Sequence, residues 1–417
     1  MTAAALPAAD PGPGQGLGQS NNAGLRVALS VPGRFHTFDL ARELHARGAL
    51  AAVLSGYPWF KLRTEALPRE LVLTHPWLLT PYMAFRWRER LPRPLLREWE
   101  QAIACGFARW VARRLPHCDV YVGLSGSSLP AGSRQQRRGA AYVCDRGSAH
   151  IAEQDELLRA EHAHWGLPYA GIDARTIARE QAEYAAADLI TVPSTFVLRS
   201  FVRRGVPAAR LRLLPYGVNL QRFAPVAEPD ADGFDVLFVG GMSLRKGLPY
   251  LLQAFARLRH PRKRLSLAGV PSPQLIGRMR ELGLWDERVR VLGHLPQPQL
   301  KALYSRSHVL VLPSIEEGLA MVQAQAMACG CPVLASEHTG AGDLYDDGVE
   351  GYIVPPRDVA ALAQRLQKLA DDPALRRRMA AAALARVRHI GGWSEYGERA
   401  LAIYREAAQA VRDGGRA

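Results

Sequence analysis

Long apolar runs are missing from this 417-residue sequence, although 48% of its residues are hydrophobic. No uninterrupted apolar stretch approaches the roughly 18 residues that a membrane-spanning helix requires. The first 23 residues are rich in Pro, Gly, Ala and Gln, and they lack the basic start and apolar segment of a signal peptide. We therefore expect a disordered tail over residues 1–23, no transmembrane helix and a cytoplasmic protein.

The sequence contains few cysteines, and their number is odd. The five cysteines are Cys105, Cys118, Cys144, Cys329 and Cys331. A disulfide framework is not expected for so few cysteines in so long a chain. The close pair near residue 330 has no second pair to complete a zinc site, so reduced, structural thiols are expected.

Lysine is also rare, and the formal net charge of +14 arises almost entirely from arginine. A nucleic-acid-binding protein usually concentrates such an excess in a stripe or a tail. Here the arginines are spread through Ala-rich segments. We therefore expect no nucleic-acid partner, although the charge keeps a nucleic-acid binder among the alternatives.

One segment departs from this even spread. Residues 59–114 carry basic side chains interleaved with Trp59, Phe60, Trp77, Tyr82, Phe85, Trp87, Trp99 and Trp110. Cations combined with such aromatics suit an anionic membrane surface or a lipid-linked ligand. The plainer alternative is a set of helices packed through their aromatics, with solvated arginines outside.

Short apolar runs alternate with helical periodicity from residue 25 onward, which predicts parallel sheets with crossover helices. The predicted strands are 25–31, 119–125, 140–145, 189–194, 235–240, 264–269, 289–293, 308–314 and 332–336. A proline-containing segment with an acidic run, 212–235, interrupts the pattern and is interpreted as a linker. The sequence thus predicts two doubly wound α/β units.

This pattern divides the chain into four parts. They are a tail (1–23), a first Rossmann-like domain (24–214), a second one (215–392) and a C-terminal helix (393–417) that packs back on the first domain. Ligands of open parallel sheets lie at the carboxyl ends of the strands. Two such domains facing each other would therefore hold a substrate in the cleft between them.

The second domain opens with "FVGGMSLRKGLPYLLQAFARL" (238–258), in which a glycine turn joins a strand to a helix. A diphosphate near Gly240 would meet free N–H groups, the positive helix end and the charges of Arg245 and Lys246. The spacing differs from that of a P-loop, so ATP hydrolysis is not inferred. An ordinary basic strand-to-helix connection is the alternative.

A second turn of this kind, "PSIEEGL" (313–319), carries Glu317 before Gly318 and Leu319. A carboxylate there accepts hydrogen bonds from sugar hydroxyls, and glycine lets the backbone approach closely. Eight helical residues rise about 12 Å, so Glu317 and Gln325 would contact opposite ends of an extended ligand. An acid that complements the helix dipole is the plainer interpretation of this turn.

A third turn, "SEHTGAGDL" (336–344), contains Gly340. Successive backbone N–H groups in such a turn form an anion-binding concavity. A plain loop is an equal alternative.

Taken together, the second half resembles the family-4 retaining glycosyltransferases of GT-B fold, within glycosyl transferases group 1. The resemblance rests on "FVGGMSLRKG" (238–247), "GHLPQPQLKALYSRSHVLVLPSIEEGLAM" (293–321), "MACGCPVL" (327–334) and "TGAGDLYDDGVEGYIVPP" (339–356). It continues more weakly through "GRFHTFDLARELHARG" (33–48). It implies an α/β GT-B fold, with two Rossmann-like doubly wound domains facing a central cleft.

The resemblance also implies roles for individual residues. Arg245 and Lys246 would neutralise the nucleotide diphosphate without a metal, Glu317 would touch the donor sugar, and position 325 would contact the ribose. Gln325 departs from the usual acid, because it keeps an acceptor oxygen but loses the charge. Gly241 is a second departure, since many members carry an arginine there.

In the first half, the loop "SVPGRFHTF" (30–38) matches the N-terminal loop of that family, which approaches the diphosphate and the acceptor. Gly33 and Arg34 are therefore the predicted binding residues of this loop. The stretch "CDRGSAHI" (144–151) follows a strand where the family often presents a polar residue to the reacting sugar. His150 is the catalytic candidate there. The alternative for the loop 30–38 is a simple strand-to-helix connection. The alternative for His150 is a structural role.

The expected activity is that of a retaining, metal-independent glycosyltransferase. It would move a sugar from a UDP- or GDP-sugar to a hydroxyl acceptor, with no other cofactor. A growing, lipid-linked surface glycan at the inner face of the cell membrane is the expected acceptor. A nucleotide-sugar epimerase of the same fold and a non-enzymatic nucleotide-sugar binding protein are the alternatives.

Overall fold

The computed structural model describes residues 24–85, 87, 90–219 and 222–414. The tail expected over residues 1–23 lies outside the described residues. The strands of the described part form two parallel sheets, one of seven strands and one of six. The predicted α/β class with two doubly wound halves is confirmed.

The first sheet contains β1 (Val27–Val31), β2 (Leu50–Ser55), β3 (Val72–Thr74), β4 (Val120–Leu124), β5 (Ala141–Asp145), β6 (Leu189–Val192) and β7 (Leu211–Leu213). Their spatial order is β3–β2–β1–β4–β5–β6–β7, and every neighbouring pair is parallel. The order reverses between β1 and β4, which creates the crevice where ligands of such sheets bind.

The second sheet contains β8 (Phe234–Val239), β9 (Lys263–Ala268), β10 (Val289–Gly293), β11 (Val309–Leu312), β12 (Val333–Ser336) and β13 (Gly351–Val354). Its order is β10–β9–β8–β11–β12–β13, so the reversal falls between β8 and β11. Both central strands of this sheet are almost fully buried, as expected for a parallel sheet covered on two faces.

Helices connect these strands. In the first half they are α1 (Thr37–Ala46), α2 (Trp59–Leu62), α3 (Leu79–Ala84), α4 (Arg93–Arg114), α5 (Leu129–Gln136), α6 (Ile151–His164), α7 (Ala174–Ala186) and α8 (Thr195–Arg203). In the second half they are α9 (Leu248–Arg257), α10 (Pro273–Glu281), α11 (Gln297–Arg306), α12 (Met321–Ala328), α13 (Val359–Asp371), α14 (Pro373–Ile390) and α15 (Trp393–Arg412).

Four strands, β2, β3, β7 and β13, are absent from the sequence prediction. Two of them have only three residues, and β7 falls where the linker was predicted to begin. A run this short carries no periodic signal, because two or three alternations cannot be told from a loop. Hydrogen bonds to one neighbouring strand hold β3 and β7 in the sheet.

The last helix, α15, returns to the first sheet and packs against α1, β4 and β5. Its buried face carries Tyr396, Tyr404 and small alanines. The Nη2 of Arg47, just after α1, donates to the carbonyl oxygen of Ser394 at 2.9 Å. The chain therefore crosses between the halves a second time.

Polar contacts join the two halves along their facing edges. The Oγ of Ser194 donates to the carbonyl oxygen of Gly318 at 2.6 Å. Arg357 pairs with the buried carboxylate of Glu161 at 2.8 Å. These contacts hold the carboxyl ends of the two sheets against a shared cleft.

Within the described residues, none of the helices combines the length and the apolarity needed to cross a membrane.

Candidate functional site

A cleft of about 790 Å³ lies between the two sheets, at the carboxyl ends of their strands. The first half lines it with Arg34, His36, Asp39, Arg42, Glu65, Ser125 and Arg146, and the second half with Glu317, Leu319, Met321 and Gln325. The chain segment between the halves adds Tyr216 and Arg222. The walls are therefore mostly polar and carry both charge signs.

Four residues predicted from the sequence line this cleft: Arg34, Glu317, Leu319 and Gln325. Arg245 and Lys246 lie directly behind Glu317 and contact it through their side chains. The structure thus brings together the predicted cations and the predicted carboxylate, although they are about 70 residues apart in the sequence.

Arg245 is held by the loop that follows β11. Its Nε donates to Oε2 of Glu316 at 2.7 Å and to the Glu316 carbonyl oxygen at 3.2 Å. Its own carbonyl oxygen accepts from the N–H of Ile315 at 2.8 Å. The Arg245 side chain is about one-third exposed, and its contact with an anion stays a prediction.

Lys246 pairs with Oε2 of Glu317 through its Nζ. Burial, followed by the nearby charge of Arg245, lowers the pKa of Lys246 to about 8. The helix α9 begins two residues later, after Gly247 at φ 69°. A Cβ on Gly247 would lie 1.9 Å from the carbonyl oxygen of Pro313, so only glycine lets these two turns meet.

Glu316 is fully buried and connects the halves. Besides Arg245, it accepts hydrogen bonds from the N–H of Ala149 at 2.9 Å and from Nε2 of Gln154 at 3.0 Å, both in the first half. Helix α12 begins only at Met321, so Glu316 is not the helix-dipole acid that the plainer interpretation offered. Its carboxylate orients Arg245 instead.

The predicted glycines have packing reasons visible in the structure. A Cβ on Gly318 would lie 1.8 Å from the carbonyl oxygen of Gly147, across the boundary between the halves. Gly340 has φ 72°, and a Cβ there would lie 2.6 Å from Leu319 Cδ1. Gly240 has φ 147° and donates its N–H to the carbonyl oxygen of Ala268 at 2.9 Å. Their contacts with an anion stay predictions.

The two glutamines of α12 have different surroundings. Gln323 is fully buried, and its Nε2 donates to the carbonyl oxygen of Thr339 at 3.0 Å. It therefore ties α12 to the turn after β12. Gln325 lines the cleft, and its Oε1 accepts from the hydroxyl of buried Tyr304 at 3.2 Å. Gln325 therefore lies on the cleft wall, and its contact with a ribose stays a prediction.

In the first half, the loop after β1 faces the cleft through Arg34. This side chain is 57% exposed and pairs with Glu65 at 3.1 Å. Gly33 lies behind it, and its carbonyl oxygen accepts from Ser55 Oγ at 2.7 Å. Arg34 is therefore mostly exposed but paired with Glu65, and its contact with a ligand stays a prediction, whereas Gly33 shapes the loop.

His150 lies away from the cleft, so the geometry gives the catalytic prediction for it no support. It is the N-cap of α6, and its Nδ1 accepts from the N–H of Ala152 at 3.3 Å. Its ring packs against Tyr184 and Phe201, with centroids 5.1 Å away in each case. Burial lowers the pKa of His150 to about 4, so it is neutral and structural near pH 7.

His36 is the histidine that faces the cleft, and the sequence reasoning missed it. Its Nε2 lies 2.7 Å from Oδ2 of Asp145, at the end of β5. The Oδ1 of Asp145 accepts from Thr191 Oγ1 at 2.8 Å. The signal was present, since both residues follow strands that lie near the reversal of the sheet, but 109 positions separate them in the sequence.

Arg146, which follows β5, is buried and makes hydrogen bonds to several partners. It pairs with Glu180 at 2.6 Å and donates to Gln154 Oε1 at 2.8 Å. It also donates to the carbonyl oxygen of Ala149. Because Gln154 also contacts Glu316, Arg146 supports the loop after β5 that meets the second half.

Comparison with known proteins identifies the family. The sequence profile of "Glycosyl transferases group 1" matches residues 221–386. A D-inositol 3-phosphate glycosyltransferase of Thermomonospora curvata is 31% identical over 406 residues, which cover 93% of this chain and 82% of that protein. This chain belongs to the group 1 glycosyl transferases. It is accordingly an enzyme of the glycosyltransferase class, and the resemblance seen in its motifs is confirmed at the level of group 1. Membership of family 4 and retention stay predictions.

Solved structures similar to this glycosyltransferase share its fold. A sucrose-phosphate synthase from Thermosynechococcus elongatus matches with a TM-score of 0.70 at 24% identity, covering 93% of this chain and all of that one. Anabaena Alr3699/HepE in complex with UDP-glucose matches with a TM-score of 0.66 at 17% identity, covering 91% and 99%. The GT-B prediction is confirmed, and the epimerase and binding-protein alternatives are not favoured.

Among the described residues of the glycosyltransferase, no three His, Cys, Asp or Glu side chains are grouped to hold a metal ion. The expectations of metal independence and of no further cofactor stay predictions.

Proposed function

We propose that this chain is a family-4 enzyme that moves a sugar, with retention, from a nucleotide-diphosphate sugar to a hydroxyl acceptor. The observation that carries the proposal is the set of two cations and two carboxylates formed by Arg245, Lys246, Glu316 and Glu317, of which Glu317 lines the cleft and the others lie behind it. The UDP-glucose complex of Alr3699/HepE, which has the same fold, supports a nucleotide-sugar donor.

The ion pairs explain how a diphosphate would enter. Lys246 and Arg245 are neutralised by Glu317 and Glu316. An incoming diphosphate competes with Glu317 for Lys246, whereas Glu316 stays fixed by its contacts with the first half. Displaced from the lysine, the Glu317 carboxylate becomes free to accept hydrogen bonds from sugar hydroxyls. Diphosphate binding and sugar recognition are therefore coupled through one side chain.

The transfer step depends on stabilising the charges that develop as the donor bond breaks. Breaking the bond between the anomeric carbon and the diphosphate places negative charge on the leaving phosphate and positive charge on the sugar ring. Arg245, Lys246 and the N–H groups before α9 stabilise the former, with roughly 2 kcal/mol or more for each well-placed donor. No step requires a metal or another cofactor, and UDP or GDP serves as the leaving nucleotide. Same-face attack gives retention, with a phosphate oxygen hydrogen-bonded to the attacking hydroxyl.

Gln325 provides the ribose contact in this proposal. It lines the cleft on α12, about one helical turn beyond the loop that carries Glu317. The charge that an acid would bring is absent, and the neighbouring Tyr304 hydroxyl holds one amide oxygen. Gly241 has open space around it, and Arg245 takes over the contact that an arginine there would make.

A peripheral place on the inner face of the cell membrane, with a lipid-linked glycan as acceptor, is the second part of the proposal. Trp77, Trp87 and Phe60 are 75%, 63% and 61% exposed, which is unusual for large aromatics. Exposed cations, including Lys61 and Arg93, share this region. Other aromatics of the segment pack inward, as Trp110 does on His75. The plainer interpretation therefore describes the inward-facing aromatics, and the membrane proposal rests on the exposed ones.

A donor screen tests the enzymatic proposal. The folded protein is incubated with UDP- and GDP-sugars, and both melting temperature and nucleotide release are measured. We expect one of them to raise the melting temperature and to release nucleotide slowly. The Lys246→Ala variant should lose at least about 30-fold in turnover, the equivalent of about 2 kcal/mol. Lys368→Ala, an exposed lysine on α13, is the matched control and should retain full activity. No response to any nucleotide sugar would refute the proposal.

A further inference from the structure

Helix α6 of the first half carries a glutamine whose side chain reaches the second half. Gln154 lies near the start of this helix. Its Nε2 donates to Oε2 of Glu316 at 3.0 Å, across the boundary between the halves. Its Oε1 accepts from Nη2 of Arg146 at 2.8 Å, within the first half. One amide therefore joins a buried arginine of the first half to the acid that holds Arg245.

The chemistry of its two partners fixes which way this amide faces. A guanidinium only donates, so the carbonyl oxygen of Gln154 faces Arg146. A carboxylate only accepts, so the NH₂ group faces Glu316. A glutamate at this position would set a carboxylate against Glu316, and an apolar side chain would remove both hydrogen bonds. The two contacts together therefore require a side chain with one donor end and one acceptor end.

Arg146 is itself held in place on the first half. Its Nη1 donates to Oε2 of Glu180 on α7 at 2.6 Å, and its Nε donates to the carbonyl oxygen of Ala149 at 3.2 Å. The side chains of Arg146 and Glu180 are both less than one-tenth exposed. Burial alone would lower the pKa of Arg146, but nearby acids, Glu180 first and Glu316 among them, raise it above its usual value. The guanidinium is therefore a fixed, charged anchor for Gln154.

The other end of this connection is a cation of the proposed diphosphate site. Glu316 is fully buried, and the Oε2 atom that accepts from Gln154 also accepts from Nε of Arg245 at 2.7 Å. The other carboxylate oxygen of Glu316 accepts from the N–H of Ala149 at 2.9 Å. Nη2 of Arg245 lies 3.4 Å from Ser148 Oγ, also in the first half. A change at Gln154 therefore acts on the carboxylate oxygen that orients the Arg245 guanidinium.

We propose that Gln154 is a positioning residue of the donor site, which aligns Arg245 through Glu316 when the two halves are docked. This inference rests on the proposed function and deepens it, because it makes the diphosphate contact of the second half depend on a residue of the first. Gln154 itself is not among the described residues that line the cleft. Donors held in place before the reaction stabilise a developing charge better than donors that must reorient during it.

A plain tie between the halves is the competing explanation of the same hydrogen bonds. Helix α6 offers a comparison, because its Glu161 is fully buried and pairs with Arg357 of the second half at 2.8 Å. Trp165, just after the helix, donates from Nε1 to Oε1 of Glu161 at 2.9 Å. These partners are not cations of the donor site. Replacing Glu161 therefore shows what the loss of a tie alone does.

A double-mutant cycle separates the two explanations. The full chain, its Gln154→Met and Arg245→Met variants and the double variant are assayed for donor hydrolysis and for UDP or GDP affinity, with the donor that the screen selects. We expect Gln154→Met alone to lower turnover by about tenfold, the effect of one lost hydrogen bond to a buried charged group. In the Arg245→Met background the same change should lower turnover by less than about twofold, because its effect passes through Arg245.

Two further variants serve as controls for this cycle. Any loss of turnover caused by Glu161→Gln should be equal in the wild-type and Arg245→Met backgrounds, as expected for a tie between the halves. Gln274→Met, an exposed change on α10, should leave turnover and affinity unchanged in both backgrounds.

A charge at position 154 gives a second readout, which a loss of packing would not move. Arg146 from the loop after β5 and Glu316 from the loop after β11 face this position. In Gln154→Glu two carboxyl groups would lie together, and such a pair takes up a proton more readily than a single carboxylate. The proton restores a donor toward Glu316. Relative to wild type, turnover of Gln154→Glu should therefore recover as the pH falls from about 8 to about 5.5, whereas Gln154→Met should show no recovery.

Three results would overturn the inference: wild-type turnover of Gln154→Met, an equal loss from this change in both backgrounds, or the same pH profile for Gln154→Glu and Gln154→Met. Melting temperatures establish that each variant is folded. Failure of the wild-type protein to bind or hydrolyse any nucleotide sugar would instead overturn the proposed function. The two failures are therefore distinguishable.

Discussion

The guanidinium of Arg245 lies 2.7 Å from the buried carboxylate of Glu316. That carboxylate also accepts hydrogen bonds from Ala149 and Gln154 of the other half. One acid therefore orients a cation of the proposed diphosphate site and fixes the cleft walls relative to each other.

Replacing Glu316 by Gln should destabilise the protein. The amide nitrogen would face donors from both halves, and Arg245 would lose its charged partner. We expect the free energy of unfolding to fall by on the order of 2 kcal/mol. Removing one partner from a fully buried ion pair costs somewhat more than this, but Arg245 is partly solvated. Chemical denaturation measures the change. Glu337→Gln, at an exposed position, should change it by less than about 0.5 kcal/mol.

Gly318→Ala should separate the cleft walls. The new Cβ would lie 1.8 Å from the carbonyl oxygen of Gly147, and a backbone atom cannot yield to it without a shift of one half. We expect a lower melting temperature and at least about tenfold weaker donor binding by calorimetry, because about 1.4 kcal/mol of lost contacts corresponds to that factor. Gly342→Ala meets open space and serves as control. Wild-type behaviour of Gly318→Ala would contradict the close approach.

Gln325→Glu tests the ribose contact. A carboxylate accepts from ribose hydroxyls more strongly than an amide oxygen, and the Tyr304 hydroxyl already donates at this position. We expect UDP or GDP affinity to rise by about three- to tenfold, measured by calorimetry. Gln364→Glu, an exposed change on α13, controls for the added charge. Unchanged affinity in Gln325→Glu would count against the assigned contact.

The lowered pKa of Lys246 predicts a pH dependence of nucleotide binding. Burial favours the neutral amine, so the unliganded lysine loses its charge as the pH rises through about 8. A bound diphosphate favours the charged form. The affinity for the nucleotide should therefore be high at pH 7 and lower at pH 8.5. Binding should also be accompanied by proton uptake, which calorimetry in two buffers detects. Lys246→Arg should remove the fall, since arginine stays charged.

Exposed aromatics predict membrane binding. We expect the protein to float with anionic liposomes, and the binding to weaken at high salt because the cations are screened. The double variant Trp77→Ser and Trp87→Ser should float less. Val270→Ser, an exposed apolar change on the second half, should float as wild type does. Equal flotation of all three proteins would contradict a role for the aromatic surface.

Much of the fold was predictable, because apolar strand runs of four or more residues recur along the chain, although the six-residue β2 and the four-residue β13 were missed. The short strands β3 and β7 were not, since hydrogen bonds to one neighbouring strand define them rather than local sequence. In the second half, Arg245, Lys246 and Glu317 follow strands within compact motifs, and their proximity could be inferred from strand order.

The first half was less predictable. His150 follows a strand as a site residue should, yet its ring caps α6 and turns inward. His36 lies at the start of a helix and gains its place in the cleft from Asp145 and Tyr216, which are far away in the sequence. Side-chain direction of this kind is decided by packing, which single-sequence patterns do not contain.

The most direct test of the account is a ¹H NMR time course of the protein with the nucleotide sugar selected by the donor screen. The account predicts that free nucleotide accumulates, that the first sugar product carries the anomeric configuration of the donor, and that Lys246→Ala forms it at least about 30-fold more slowly. A well-folded protein that releases no nucleotide from any UDP- or GDP-sugar would contradict it.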